Sequence, residues 1–218
     1  MWKSATTSNA MTYWSEFLTV AVAHALAVAS PGPDFALVLR QSLAHGRRTA
    51  LWSSVGIGCG LSFHIAYCIL GLGYFLKGTP AALAAIQYLG AAYLAWVGVQ
   101  ALLARARTGD VDLSATGAPD DRAAWTTGFV VNLLNPKVAL FFISLFALGV
   151  DVRTPKFVQV GYGLWMTVAT IGWFSFVSVV FTQEEVRRRF LRHGHWIDRA
   201  LGVVFIAFAL SLIFAKLG

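Results

Sequence analysis

Charge is what this sequence has least of. Only 12% of its residues are Asp, Glu, Lys or Arg, against about 25% in a soluble globular domain. So little polar surface cannot cover a water-soluble particle of this size, and lipid is the expected solvent. Cysteine is nearly absent too. Cys59 and Cys68 fall in one apolar run, and on a shared helix their Cα atoms would stand about 13 Å apart, too far for a disulfide. They read as small packing residues. No cleavable signal is expected: residues 1–9 are short and polar, and the first apolar run contains Pro31-Gly32-Pro33, which a signal core avoids. Those opening residues are expected to form a disordered tail. No serine stands in a Gly-x-Ser-x-Gly setting, which argues against an intramembrane enzyme. His24, His45 and His64 form no paired haem-ligating set, and the candidate metal ligands are isolated. Neither a cofactor nor a metal site is expected.

What the sequence has in quantity is apolar length. Hydrophobic residues make up 57% of 218 residues, with a mean hydropathy of +0.66. At about 20 residues per crossing, this length allows about six spans and no large soluble domain. The apolar runs are 13–43, 50–76, 80–103, 125–150, 156–182 and 197–217. The expected fold is therefore an all-α integral membrane protein, a single polytopic domain over 1–218. A polar segment at 105–124, with Gly109, Gly117 and Pro119, reads as a linker between halves 13–104 and 125–217.

The net charge of +7 lies in short loops and not in a nucleic-acid stripe, so no nucleic acid is expected. The first, third and fifth loops carry Arg40, Arg47, Arg48, Arg105, Arg107, Arg122, Arg187, Arg188, Arg189, Arg192 and Arg199. The opposite side has Lys3, Lys77, Arg153, Lys156 and Lys216. This asymmetry places the odd loops in the cytoplasm and both termini outside. The basic run from Arg187 to Arg192 reads first as a topology signal, with anionic lipid as the sharper alternative.

The halves resemble each other. Pro33-Asp-Phe-Ala-Leu-Val-Leu39 aligns with Pro136-Lys-Val-Ala-Leu-Phe-Phe142, and Gly58-x-Gly60 with Gly161-x-Gly163, both at an offset of 103. Farther on, Leu89-Gly-Ala-Ala-Tyr-Leu-Ala-Trp96 matches Leu201-Gly-Val-Val-Phe-Ile-Ala-Phe208. Three matches in one order suggest a duplication. With an odd number of spans per copy, the two would be inverted three-helix repeats, an architecture of transporters whose site lies near the midplane.

Runs 1 and 4 both carry helix breakers, Pro31-Gly32-Pro33 and Asn135-Pro136. Each removes a backbone donor and frees groups that lipid cannot satisfy, so paired breaks point to a binding site. Asp34 and Lys137 follow the two prolines, giving the copies opposite charges at equivalent places. Asp34 suits the positive end of a helix dipole. Lys137 does not, and needs an anion: Asp34 itself or a substrate carboxylate. A zwitterionic amino acid would satisfy both and split an Asp34–Lys137 pair. Asn132 and Asn135 flank the second break and are candidate substrate or backbone partners. His64 is a candidate proton relay beside Asp34, and His24 a further one. Gly56, Gly58 and Gly60 read as a close-packing stripe.

These residues resemble the LysE/RhtB family of amino-acid exporters. The likeness runs through Ser30-Pro-Gly-Pro-Asp34, Ser42-Leu-x-x-Gly46-Arg-Arg48, the glycines from Gly56 with His64, Tyr88-Leu-Gly-Ala-Ala-Tyr-Leu-Ala-Trp-x-Gly98, and Gly128-Phe-x-x-Asn132-Leu-x-Asn135-Pro-Lys137. It implies six helices in a bacterial inner membrane and efflux of amino acids or close derivatives, by proton antiport. The residues alone leave open a metal-ion or other small-molecule exporter, or a passive channel. Membrane lipid and the small-molecule substrate are the expected partners, and a homodimer stays open.

Overall fold

A computed structural model describes residues 3–30, 32–72, 80–104, 119–151 and 153–214, with no strand among them. Pro31, Lys77, Lys216 and most of the expected linker (Arg105, Arg107, Gly109 and Gly117 included) lie outside the described residues. The helices are α1 (Lys3–Ala29), α2 (Pro33–Ala44), α3 (Arg47–Tyr67), α4 (Pro80–Leu102), α5 (Asp121–Leu133), α6 (Pro136–Gly149), α7 (Lys156–Val180) and α8 (Glu184–Phe214). A π-helical turn, Cys68–Leu72, extends α3.

Both expected breaks are present. Tyr13–Ala29 and Pro33–Ala44 meet at 51°, and Asp121–Leu133 and Pro136–Ala147 at 56°. In each case proline opens the second half-helix, where its missing N–H costs nothing and its fixed φ suits the first turn. Among the described residues, two unbroken helices, Arg47–Gly71 and Lys156–Val180, are long and apolar enough to cross a membrane, and counting each bent pair as one span raises that number to four.

Two expectations change. The first nine residues are not a disordered tail from Lys3 onward, because α1 begins there and runs into the first apolar run without a breaker. Nor does the last helix begin at Ile197: α8 starts at Glu184, so the basic run is helical. Glutamates at its first positions favour the helix dipole, and Arg189 bonds Glu185 one turn back at 2.9 Å.

Helices meet through small residues. A methyl group built on Gly56 would run into the Trp125 carbonyl of α5, and one on Gly128 into the Ser53 carbonyl of α3. Gly58 faces Ile171 of α7, while Gly98 of α4 and Gly202 of α8 approach each other's backbone. Without a hydrophobic drive between helices in lipid, such contact and buried hydroxyl bonds hold them together. Ser54 and Ser178 supply one such bond at 3.1 Å. Phe157, Leu164 and Val168 stay exposed on α7, as lipid-facing residues do.

Two apolar clusters enclose the middle. Val20, Leu61, Phe142 and Met166 join α1, α3, α6 and α7. Phe35, Val38, Ile57 and Phe174 join α2, α3 and α7. Each cluster reaches one of the helix breaks, which fixes where the two breaks stand.

At one end of the molecule Arg48 grips Asp121 through two bonds, 3.0 and 2.6 Å. At another, Glu16 of α1 accepts from the Asp151 N–H at 2.7 Å and the Thr154 hydroxyl at 2.8 Å, tying α1 to the α6–α7 turn.

Candidate functional site

The two breaks face one cavity of about 50 Å³, room for a few water molecules. Its polar lining comes from both halves: Ser30, Gly32 and Asp34 from the first break, Asn132, Asn135 and Lys137 from the second. The opposite wall is apolar and largely aromatic, with Phe35, Phe142, Phe174 and Phe205. Pro33 and Pro136 are exposed and stay off the lining. Their part is to start the half-helices.

The breaks are stitched crosswise. Asn132, fully buried in the last turn of α5, donates from Nδ2 to Asp34 Oδ2 at 2.9 Å. Lys137 donates from Nζ to the Ser30 carbonyl at 3.0 Å. Sequence reasoning allowed Lys137 two partners, Asp34 or a substrate carboxylate. The structure adds a third, the carbonyl end of α1, where the helix dipole is negative and welcomes a cation. Lys137 also bears electrostatically on Asp34. Its aliphatic stem lies against Gly32, where an added Cβ would sit 3.4 Å from Cδ and from Nζ.

The second half-helix is capped and the first is not. Asn135 Oδ1 accepts the Lys137 N–H at 3.0 Å, whereas Gly32 offers α2 no side-chain cap. The first-turn amides of α2 therefore stand uncapped by side chain beside Asp34. Three buried polar atoms around the cavity lack a hydrogen-bond partner: Asp34 Oδ1, Asn132 Oδ1 and His24 Nδ1. Buried polar groups in native proteins are overwhelmingly paired, so these three atoms are open to a polar partner, water or ligand.

The two histidines separate here. His64 does not line the cavity. Its Nε2 donates to the Asn132 carbonyl at 3.1 Å, and its Nδ1 accepts from the Tyr67 hydroxyl at 2.9 Å. It thereby satisfies a carbonyl freed by the second break and holds Asn132 against Asp34. His24 does line the cavity, with Nε2 3.0 Å from Thr170 Oγ1. Thr170 was not singled out from the sequence, although a signal existed. It lies 103 residues after Tyr67, the repeat offset, and both side chains bond a histidine of the first half.

No group of three or more His, Cys, Asp or Glu that could hold a metal ion occurs among the described residues.

Comparison with known proteins finds relatives over most of the chain. A family model described as LysE type translocator matches residues 25–216. The chain is 31% identical to a threonine efflux protein of Escherichia coli (strain K12) over 207 residues, covering 92% of this chain and 98% of that protein. It is 29% identical to a leucine efflux protein of Klebsiella pneumoniae over 204 residues, covering 90% and 93%. No solved structure matches.

Proposed function

The chain belongs to the LysE type translocator family, and on that premise we propose that it carries amino acids or close derivatives out of the cytoplasm by proton antiport. One observation carries the reading: Asp34 and Lys137, opposite charges at equivalent breaks, line the same buried cavity. A zwitterion matches that pair. Its ammonium takes Asp34, whose Oδ1 is unpartnered. Its carboxylate takes Lys137 and the uncapped amides that open α2. Asn132 and Asn135 fix the two breaks around it, and Gly32 leaves room for the Lys137 stem.

Antiport follows from having one acid in the site. A proton from outside neutralises Asp34 and releases the ammonium. Loss of that proton to the cytoplasm restores the carboxylate for the next substrate. In this scheme His64 acts on Asp34 through Asn132 and touches no substrate.

The frame for this cycle is six spans in the bacterial inner membrane, arranged as two inverted repeats with both termini outside. The pairing of α3 with α7 and of α4 with α8 supports it, since each joins helices that the internal repeat makes equivalent.

Proteoliposomes loaded with labelled amino acid test the proposal. An imposed pH gradient should drive efflux by wild type, and a protonophore should abolish the drive. Asp34→Asn should lose proton coupling, and Lys137→Met should lose net transport roughly 100-fold or more, as expected when a buried charge partner is removed. Unchanged efflux in both variants refutes the zwitterion site.

A further inference from the structure

The basic opening of α8 has no task in the transport cycle. Residues 200–214 carry no charge and measure about 22 Å as helix, most of a hydrocarbon layer of about 30 Å. The same helix runs unbroken back to Glu184, so Arg199 and Trp196 fall at the edge of the apolar layer and the earlier turns at headgroup level and beyond. Trp196 is 62% exposed there, as tryptophans at a membrane surface are.

The packing of α8 on α4 fixes which face this end carries onward. A methyl group on Gly202 would meet the Gly98 carbonyl and the Leu102 amide, and one on Gly98 would meet Ile206. Arg199 Nε donates to the Ala104 carbonyl at 3.2 Å. The two helices thus pass each other in opposite directions, with Arg199 and Gly202 on the shared face, and α4 ends at Leu102. Stepping back along α8 by four, three and four residues, the same face carries His195, Arg192 and Arg188. The face that packs on α4 continues past the end of α4 as a basic stripe.

The stripe is short of acid. At three or four positions on either side of Arg192 and of Arg199 the sequence has no Asp or Glu. Glu185 is engaged by Arg189, off the stripe. The Arg199 guanidinium lies 4.9 Å from the Trp196 ring centre, which keeps it at the level of that ring. Guanidinium presents paired donors that match phosphate oxygens and is more weakly hydrated than an ammonium. Basic clusters beside a transmembrane helix draw anionic headgroups. A stripe on one helix offers no cage for a free anion, whereas a lipid adds its acyl chains to the apolar turns that follow.

We propose that Arg188, Arg192, His195 and Arg199 bind an anionic glycerophospholipid, its phosphate on the arginines and its acyl chains along the apolar part of α8. On the six-span path this is a lipid of the cytoplasmic leaflet, although the binding itself does not depend on that path.

Native mass spectrometry of the purified full chain, titrated in detergent with phosphatidylglycerol or phosphatidylcholine, tests this. Wild type should bind phosphatidylglycerol at least ten-fold more tightly, and the preference should shrink as ammonium acetate rises from about 0.05 to about 0.5 M. Each arginine at the headgroup contributes about five-fold, so Arg188→Gln/Arg192→Gln should remove ten-fold or more of the affinity for phosphatidylglycerol. Arg187→Gln/Arg189→Gln loses the same charge off the stripe and should keep the preference. Equal affinity of wild type for the two lipids overturns the proposal without any variant, as does a preference indifferent to salt. Equal losses in the two double variants overturn it too, since net charge and not the stripe would then be at work. Displacement of phosphatidylglycerol by millimolar inorganic phosphate would replace the lipid with a free anion. A chain that exports amino acids yet binds both lipids alike fails here alone, and leaves the proposed function standing.

Discussion

At the scale of single residues, the chemistry of the breaks was legible because it is local. Proline removes a donor wherever it stands, and Asn135 before it can be read as a cap without any tertiary knowledge. The partners of Lys137 were not legible. Its bond to the Ser30 carbonyl joins positions 107 residues apart and depends on how two half-helices pack. The same holds for His24. Nothing in sequence separates it from His64, since each is one histidine on an apolar helix, yet one lines the cavity and the other holds Asn132 from behind. The glycines allow a test of the packing on which this geometry relies. Gly56→Ala should destabilise the protein by about 1–3 kcal/mol, the cost of overpacking a tight contact, because its methyl meets the Trp125 carbonyl. Gly161→Ala meets nothing within 4 Å and should be neutral or stabilising by up to about 1 kcal/mol through helix propensity. Thermal unfolding in detergent, followed by the loss of monodisperse protein, measures both. Equal effects would show that the α3–α5 contact is not as close as described.

At the scale of elements, hydropathy located the apolar parts of helices better than their ends. The run beginning at Ile197 marked where α8 turns apolar, but the helix itself starts at Glu184. A hydropathy window cannot see a polar helical turn, whereas the i, i+4 pair of Glu185 and Arg189 sustains one. The α6–α7 turn was equally invisible. Its conformation depends on Glu16 from α1 and on Arg153, which bonds Asp151 at 2.8 Å. That ion pair gives the turn a pH signature. Arg153 holds the Asp151 carboxyl down to about 2, below its ordinary value of about 3.9. A carboxylate depressed in the folded state contributes stability that is fully present above the unfolded value and drains away as pH falls through the folded one. Wild type and Asp151→Asn should therefore keep a constant difference in thermal midpoint from pH 7 to about pH 5. The difference should close between about pH 4 and pH 2, and it should shrink in 1 M salt because Arg153 is exposed. A gap that widened on acidification would contradict the assignment.

At the scale of the whole molecule, the two ends are held by different chemistry. Arg48 and Asp121 join the start of α3 to the start of α5. On the proposed six-span path α3 opens the second span and α5 the fourth, and these starts share a side only if the intervening chain crosses an even number of times. Two crossings, by α3 and α4, satisfy that. Glu16 of α1 meets Asp151 and Thr154 between α6 and α7, and on the proposed path four crossings separate them. The ion pair and the Glu16 bonds are thus each compatible with one six-span path, in which the arginine-rich loops face the cytoplasm and the α6–α7 turn faces outward. Single cysteines placed at Arg47 and Arg153, with Cys59 and Cys68 replaced by alanine, turn this path into a measurement. A membrane-impermeant thiol reagent should label Arg153→Cys in intact cells and Arg47→Cys only after permeabilisation. The reverse pattern would invert the molecule and make the acid of Asp34 reachable from the wrong side for proton-driven export. Labelling of both in intact cells would make the number of crossings between them even where the proposed path has three, and the six-span path would fail.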